Sequence, residues 1–263
     1  MEIGTIGVWR GKRHGTSGLD EIEALGYGAF WLGGSPSLAE TRPYLDATTE
    51  MPVATGILNI WKHDPHDVAR EFADFPERFL LGIGVGHPEA TSDYTRPLKA
   101  MREFFDGLDL PRERLIAAAL GPKMLDLAKE RSLGAHPYFV DVQHTRFARE
   151  HVGDGVLIAP EVAVVVEPDD ETARKIAREY AQTYLELSNY TGNLRRFGYT
   201  DADFADGGSD RLIDAVIPHG SPGQIAEAIR AHLEAGADHV CIQPLGHGSH
   251  PADDYRALAA DLL

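Results

Sequence analysis

The residues able to do chemistry gather where short apolar runs end, and they are mostly glycine and aromatic rather than acidic. Run by run they are Trp9; Gly33, Gly34 and Ser35; Asn59 and Trp61; Gly86 and His87; Leu120 and Gly121; Tyr138; and the stretch from Pro244 to His247. A metal hydrolase would want a His-x-His after its first strand, with an acid and further histidines. Here the pairs His63/His66 and His247/His250 stand in loops without acids at metal spacing, so no metal is expected. A glycosidase would want two facing carboxyl groups at strand ends, whereas Glu89 and Asp93 share one loop. No G-x-S-x-G occurs, and Cys241, the only cysteine, lies inside the apolar stretch HVCIQP, which leaves nucleophilic catalysis without an evident agent. What remains is a flat, glycine-lined, aromatic pocket of the kind that holds a cofactor, which then carries the reactive chemistry.

An anion site would complete such a pocket, and the stretch RLIAAALGPKMLDLA (114–128) offers one. An apolar run stops at Gly121-Pro122-Lys123 and a helical pattern begins at once. Glycine allows close approach to the backbone, proline fits the first helical position, and the free N–H groups beyond it face outward at the positive end of the helix dipole. Lys123 adds a charge. The same residues also make a good helix start, a device that Asp64-Pro65 and Ser221-Pro222 use elsewhere in the chain.

The elements that must position these residues follow from the hydrophobic pattern. Apolar runs at 3–9, 27–34, 51–61, 78–86, 114–121, 134–140, 160–168 and 237–246 alternate with amphipathic stretches. Among the latter are a helix opened by the capping box Ser37-x-x-Glu40 and a long one from Asp169 with Ala173, Ile176, Ala177, Tyr180 and Tyr184 inward. The junctions ALGYGAFW, SLGAHPYF and EAGADHVCI repeat one grammar of helix, terminating glycine and strand. The runs are continuously apolar, as in parallel strands covered on both faces. Eight strands alternating with helices predict an α/β (β/α)8 TIM barrel, with active-site residues at the carboxyl ends of the strands. A doubly wound sheet is disfavoured, since the first turn, WRGKRHG, lacks G-x-G-x-x-G spacing. Residues 188–221, polar and aromatic-bearing, fall outside the repeat and read as an insertion before the last helix–strand unit of a single domain spanning 1–263.

Bulk properties limit the rest. With 263 residues, 43% of them hydrophobic, the chain can bury a substantial core. A net charge of −16 without a basic block argues against nucleic acid but leaves room for a locally positive pocket. The N-terminus lacks a secretory pattern, and no apolar run approaches the roughly 18 residues a membrane span requires, so a cytoplasmic protein is expected.

The blocks LGYGAFWLGG, VATGILNIWKHDP, LLGIGVGHPE, AALGPKMLDLA and LGAHPYF, with ELSNYTGNLRRFGY and GADHVCIQPL, run in order through almost the whole chain. As an ordered set they resemble the bacterial-luciferase-like superfamily, and more narrowly its actinobacterial branch that uses the deazaflavin coenzyme F420. The resemblance implies a flavin-type cofactor at the barrel mouth, contacted by Gly33, Gly34, Ser35, Asn59, Gly86 and Leu120. It implies a phosphate on Gly121, Pro122, Lys123 and Met124. It also implies a non-proline cis peptide at Gly56-Ile57, a bond that costs roughly 3–4 kcal/mol, supporting the back of the ring. Members are often homodimers.

Two departures stand out. Better-known enzymes of the branch carry Asp-His after the second strand, where this chain has Gly34 and Ser35, and His87 replaces a carboxylate found after the fourth. Their proton donor is therefore missing and their sugar-phosphate substrate does not carry over. His87 is a candidate acid or base, or a loop cap and cofactor hydrogen-bonding group. Trp9, Trp61, Tyr138 and His144 are candidates for the substrate side, and Trp31, mid-strand, for the core. The expected function is coenzyme F420-dependent hydride transfer to or from a small organic substrate. The alternatives are an FMN-dependent monooxygenase of the same superfamily, or a member that binds a cofactor or ligand without turnover.

Overall fold

The structure, a computed structural model, describes residues 2–92, 94–246 and 252–263. Asp93, His247 and His250 lie outside the described residues.

Parallel strands alternate with helices along the chain: β1 (Ile6–Gly11), α1 (Leu19–Ala24), β2 (Phe30–Gly33), α2 (Leu38–Asp46), β3 (Val53–Thr55) with β4 (Leu58–Asn59), and α3 (Pro65–Phe72). Next come β5 (Phe79–Gly84), α4 (Pro97–Leu108), β6 (Leu115–Ala117), α5 (Pro122–Arg131), β7 (Gly134–Ala135) and α6 (Val142–Val152). They are followed by β8 (Leu157–Ile158) with β9 (Glu161–Val166), and by α7 (Asp170–Leu185). The pairing order runs β9-β11-β1-β2-β3-β5-β6-β7-β8, where β11 (Val240–Pro244) is the last strand before α12 (Asp253–Leu262). β8 and β9 are two halves of one stave, divided at Pro160, which has no N–H to give the ladder. Its first half pairs with β7 and its second with β11, so the ring of eight staves closes into the expected (β/α)8 barrel.

Register explains the apolar continuity of the strands. Phe30, Leu32, Val53, Phe79 and Leu81 face outward into the layer shared with the helices. Their neighbours Trp31, Ala54 and Leu80 lie at one level across adjacent staves and fill the barrel with Ile116, Ala159 and Cys241. Trp31 is fully buried there, as its mid-strand position suggests.

Caps act where the sequence marks them. Ser37 and Glu40 form both halves of a capping box, Asp64 accepts from His66 and Asp67 N–H, and Asp169 caps α7. Strand limits differ from expectation. The first strand begins at Ile6 instead of 3, since Gly4 has φ +65° and breaks the extended run. The expected strand at 134–140 pairs regularly only over Gly134–Ala135, because Pro137 ends its donor row.

Between α7 and β11 come α8 (Ser188–Arg195), α9 (Asp201–Phe204), α10 (Asp210–Val216), the short β10 (His219–Gly220) and α11 (Pro222–Glu234). Tyr190, Leu194, Tyr199, Leu212 and Ile213 pack with Ala173, Ala177 and Ala181 of α7 into a second core, so the polar-looking insertion is held by its own apolar stripe. No helix among the described residues is long and apolar enough to cross a membrane.

Candidate active site

A cavity of about 1110 Å³ opens at the carboxyl ends of the staves. Of the residues singled out from sequence, Trp9, Gly33, Gly34, Ser35, Gly56, Ile57, Gly86, His87, Leu120, Gly121, Met124 and Tyr138 line it. Gly34 (φ +84°), Ser35 (φ +49°) and Gly86 (φ +61°) turn through the left-handed region, so the backbone itself forms the wall. Gly33 has no room for a side chain, because a Cβ there would stand 1.9 Å from the Trp9 ring. Trp9 fills the space beside it and packs on Tyr138 with ring centroids 5.5 Å apart.

Other candidates stand back from the cavity. Asn59 is buried, and its Oδ1 accepts from Trp61 N–H at 3.0 Å. Trp61 donates through Nε1 to the Val85 carbonyl at 2.7 Å, tying two stave ends together behind the wall instead of facing substrate. Pro122 is the first residue of α5, and the Lys123 side chain is exposed outside the cavity lining. His144, expected on the substrate side, is fully buried beneath the turn, where Nε2 donates to the Leu120 carbonyl at 2.9 Å. Burial lowers its pKa to about 4, which keeps it neutral.

The Gly56–Ile57 peptide is trans, which corrects the cis bond implied by resemblance. The distortion itself is present. Ala54 pairs with Leu80 and Leu58 with Ile83, so four steps along one stave answer three along its neighbour. That is a one-residue bulge between β3 and β4, and it presents Ile57 to the cavity. Thr55 stitches the bulge to Gly82: its Oγ1 donates to the Gly82 carbonyl at 3.1 Å and accepts from Gly82 N–H at 2.8 Å. With the bulge held this way the trans peptide avoids the cost of a cis bond.

At the far end the Gly121 turn opens α5. Met124 and Leu125 N–H return to the Gly121 carbonyl and Pro122 has no N–H, so Lys123 N–H is the amide of the first turn left facing out. The side chain of Arg196, just after α8, sits over this turn. Its guanidinium nitrogens are 2.9 and 3.1 Å from where a Cβ on Gly121 would stand. Among the described residues Arg196 has no ion-pair partner, although the chain carries a net charge of −16. A helix N-terminus, a side-chain-free glycine and an uncommitted arginine together form an anion cradle. Sequence spacing located the turn but not Arg196, which arrives from 75 residues further along in the insertion.

The insertion also reaches His87, whose Nδ1 lies 3.1 Å from Asn189 Oδ1 on α8. Donation to that oxygen leaves the Nε2 lone pair free. Glu89 accepts from Ser188 N–H at 2.9 Å and fixes the start of the same helix.

On the opposite side Tyr138, Tyr180 and Tyr184 bring their hydroxyls together near Gln243. One level deeper is a buried polar layer. Trp31 Nε1 donates to His239 Nε2 at 2.9 Å, His239 Nδ1 donates to the Gly4 carbonyl, and His136 stacks on Trp31 at 4.4 Å. His136 donates from Nδ1 to the Ala159 carbonyl and has no partner at Nε2; it reaches the cavity floor. Glu161 on the next stave is fully buried; its carboxyl group faces the Phe139 N–H, outside good hydrogen-bond geometry. Burial pushes its pKa well above the usual carboxylate range and so favours the protonated form. Glu161 opens the stretch EVAVVV, and an acid leading a β-branched run is the one signal that could have marked it.

The model of luciferase-like monooxygenases matches residues 94–239. No curated protein matches the chain in sequence. Solved structures match over nearly full length at low identity, which speaks to the fold. An F420-dependent secondary alcohol dehydrogenase in complex with an F420–acetone adduct superposes with TM-score 0.74 at 14% identity, over 98% of this chain and 97% of that one. The coenzyme F420-dependent tetrahydromethanopterin reductase from Methanopyrus kandleri gives 0.70 at 14% identity, over 99% and 98%. The oxygenating constituent of 3,6-diketocamphane monooxygenase from the CAM plasmid of Pseudomonas putida, in complex with FMN, gives 0.64 at 15% identity, over 97% and 96%.

Proposed function

The chain belongs to the luciferase-like monooxygenase family, and we propose that it is an oxidoreductase using coenzyme F420 to move a hydride to or from a small organic substrate. The observation that carries this reading is the trough from Gly33 and Gly34 past the Ile57 bulge to Gly121 at a helix N-terminus, with Arg196, which has no ion-pair partner among the described residues, beside that turn. Its shape and charge fit a flat ring with a phosphate-bearing tail. The ordered sequence blocks of the deazaflavin branch support that choice, as does likeness to two F420-dependent enzymes.

In this reading the glycine wall and Ile57 support the ring, while Gly121, Pro122, Met124 and Arg196 hold the phosphate. Lys123 contributes charge from outside the cavity. A bound deazaflavin supplies two-electron hydride chemistry that protein side chains cannot. The chain's own residues orient substrate over the ring and keep water away. His87, aligned by Asn189, holds or takes a proton at Nε2. The protein works as one barrel unit, a cytoplasmic homodimer, with the insertion at about 188–221 roofing the mouth.

An FMN-dependent monooxygenase is the second reading, favoured by the family's name and by the FMN-bound neighbour. Parallel fluorescence titrations with coenzyme F420 and FMN decide between them. Tight binding of the deazaflavin is expected, and binding of FMN alone would reverse the choice. If neither binds, or the deazaflavin binds without turnover of any substrate, a non-catalytic ligand-binding role replaces both.

A further inference from the structure

We propose that the hydroxyls of Tyr138, Tyr180 and Tyr184, gathered at Gln243, form the seat for the oxygen of a neutral substrate: a carbonyl compound or its alcohol on a compact apolar ring. The inference rests on the oxidoreductase reading and narrows its substrate class.

The hydrogen-bond geometry leads there. Tyr138 Oη is 2.6 Å from Tyr180 Oη, 3.1 Å from Tyr184 Oη and 3.0 Å from Gln243 Oε1, and Tyr180 Oη is 3.1 Å from the same amide oxygen. Three phenols bring at most three protons to four contacts, so at least one contact is without a proton and the order of donation is not fixed. In one order Tyr184 donates to Tyr138, Tyr138 to Tyr180, and Tyr180 to Gln243. Tyr184 then offers only lone pairs to the cavity, which suits the O–H of an alcohol. In the other order Tyr180 donates to Tyr138 and Tyr138 to Gln243, and the Tyr184 O–H turns outward to a carbonyl oxygen. Both orders leave every hydroxyl proton with an acceptor and move no heavy atom. A site that meets both members of a carbonyl–alcohol pair needs this reversibility.

The surroundings select a neutral, compact body. Tyr138 packs on Trp9, and Tyr184 lies with its ring centroid 5.4 Å from both Tyr138 and Tyr190, so flat apolar faces bound the seat. Charges of both signs line the cavity, Arg10, Lys12 and Arg13 with Glu179 and Asp254, so the choice of a neutral group rests on the hydroxyl seat itself. The seat turns out one proton at a time, whereas a carboxylate takes paired donors.

Binding is measured directly by ligand-observed NMR, on protein saturated with oxidised deazaflavin and on protein without cofactor. The probes are cyclohexanone, cyclohexanol and cyclohexanecarboxylate. The ketone and the alcohol are expected to bind. Tyr184→Phe, which keeps the ring, should weaken both by roughly three- to tenfold, the range of one hydrogen bond, with deazaflavin affinity and melting temperature unchanged. Gln243→Leu should weaken both as well. Unchanged ketone affinity in Tyr184→Phe and Gln243→Leu, or carboxylate bound by the wild type as tightly as ketone, overturns the proposal. If no deazaflavin or flavin binds but Tyr184-dependent ketone binding persists, the seat stands and the cofactor reading falls.

Discussion

Arg196 and Gly121 act as one unit, because the glycine leaves the space into which the guanidinium folds. Removing the charge and removing the space should therefore have the same consequence. Arg196→Gln is expected to weaken cofactor binding by about tenfold or more, the range of a charge-assisted hydrogen bond, and to flatten its dependence on salt. Gly121→Leu should displace Arg196 and match that loss while the fold is kept; unchanged affinity in a titration would refute the phosphate assignment. Glu161 poses a different problem at the same scale. Its folded pKa is raised, so its contribution to stability is fully present below the unfolded value near 4.5 and is lost as pH rises. Glu161→Gln removes that proton uptake. The variant should match wild type in denaturant melts near pH 4.5 and exceed it at pH 7, and equal stability at both would show that the acid is not buried neutral.

Among elements, the bulged stave and the helix over the mouth do most to shape the site. A Cβ on Gly82 would stand 1.9 Å from the Thr55 carbonyl oxygen, against the backbone of the bulge and not a flexible side chain. Gly82→Ala should cost about 3 kcal/mol or more, on the scale of a buried steric conflict, and should weaken cofactor binding through Ile57; a silent substitution in chemical melts would contradict the stitched bulge. α8 reaches the mouth through Asn189 on His87, Ser188 on Glu89 and Arg196 over Gly121. Asn189→Ala should lower turnover without changing cofactor affinity, because it frees the His87 ring to rotate but leaves the anion cradle intact. The elements themselves were readable from apolar runs, caps and terminating glycines. The bulge was not readable from the apolar pattern, since VATGILNIW reads as one continuous run; the family resemblance pointed to a distortion at Gly56-Ile57, and pairing with β5 reveals it as an extra residue.

At the scale of the molecule, four histidines are buried neutral: His136, His144, His232 and His239, each with its pKa lowered to about 4 by burial. Each contributes stability that is present above the unfolded value near 6.5 and is lost as pH falls toward 4. Together they steepen acid unfolding, because each ring that opens to water takes up a proton. Denaturant melts across this window should show uptake of several protons, and a flat profile would mean that these rings are charged or solvated. Glu161 pulls the other way above pH 4.5, so stability should peak near neutrality.

What the sequence determined by itself was periodic and local: the alternation of strands and helices, the barrel, the caps, the glycine turns at strand ends and the helix start at Gly121. These properties follow from residues a few positions apart. Only the tertiary structure decided which groups meet. It brought Arg196 to Gly121, Asn189 to His87, Tyr138 and Tyr180 to Gln243 with Tyr184 beside them, and a buried Glu161 near the same tyrosines, while it withdrew His144, Asn59 and Trp61 from the cavity. Closure of a barrel sets distant staves side by side and a long insertion folds back over the mouth, so contacts across tens of residues depend on packing that no local pattern encodes.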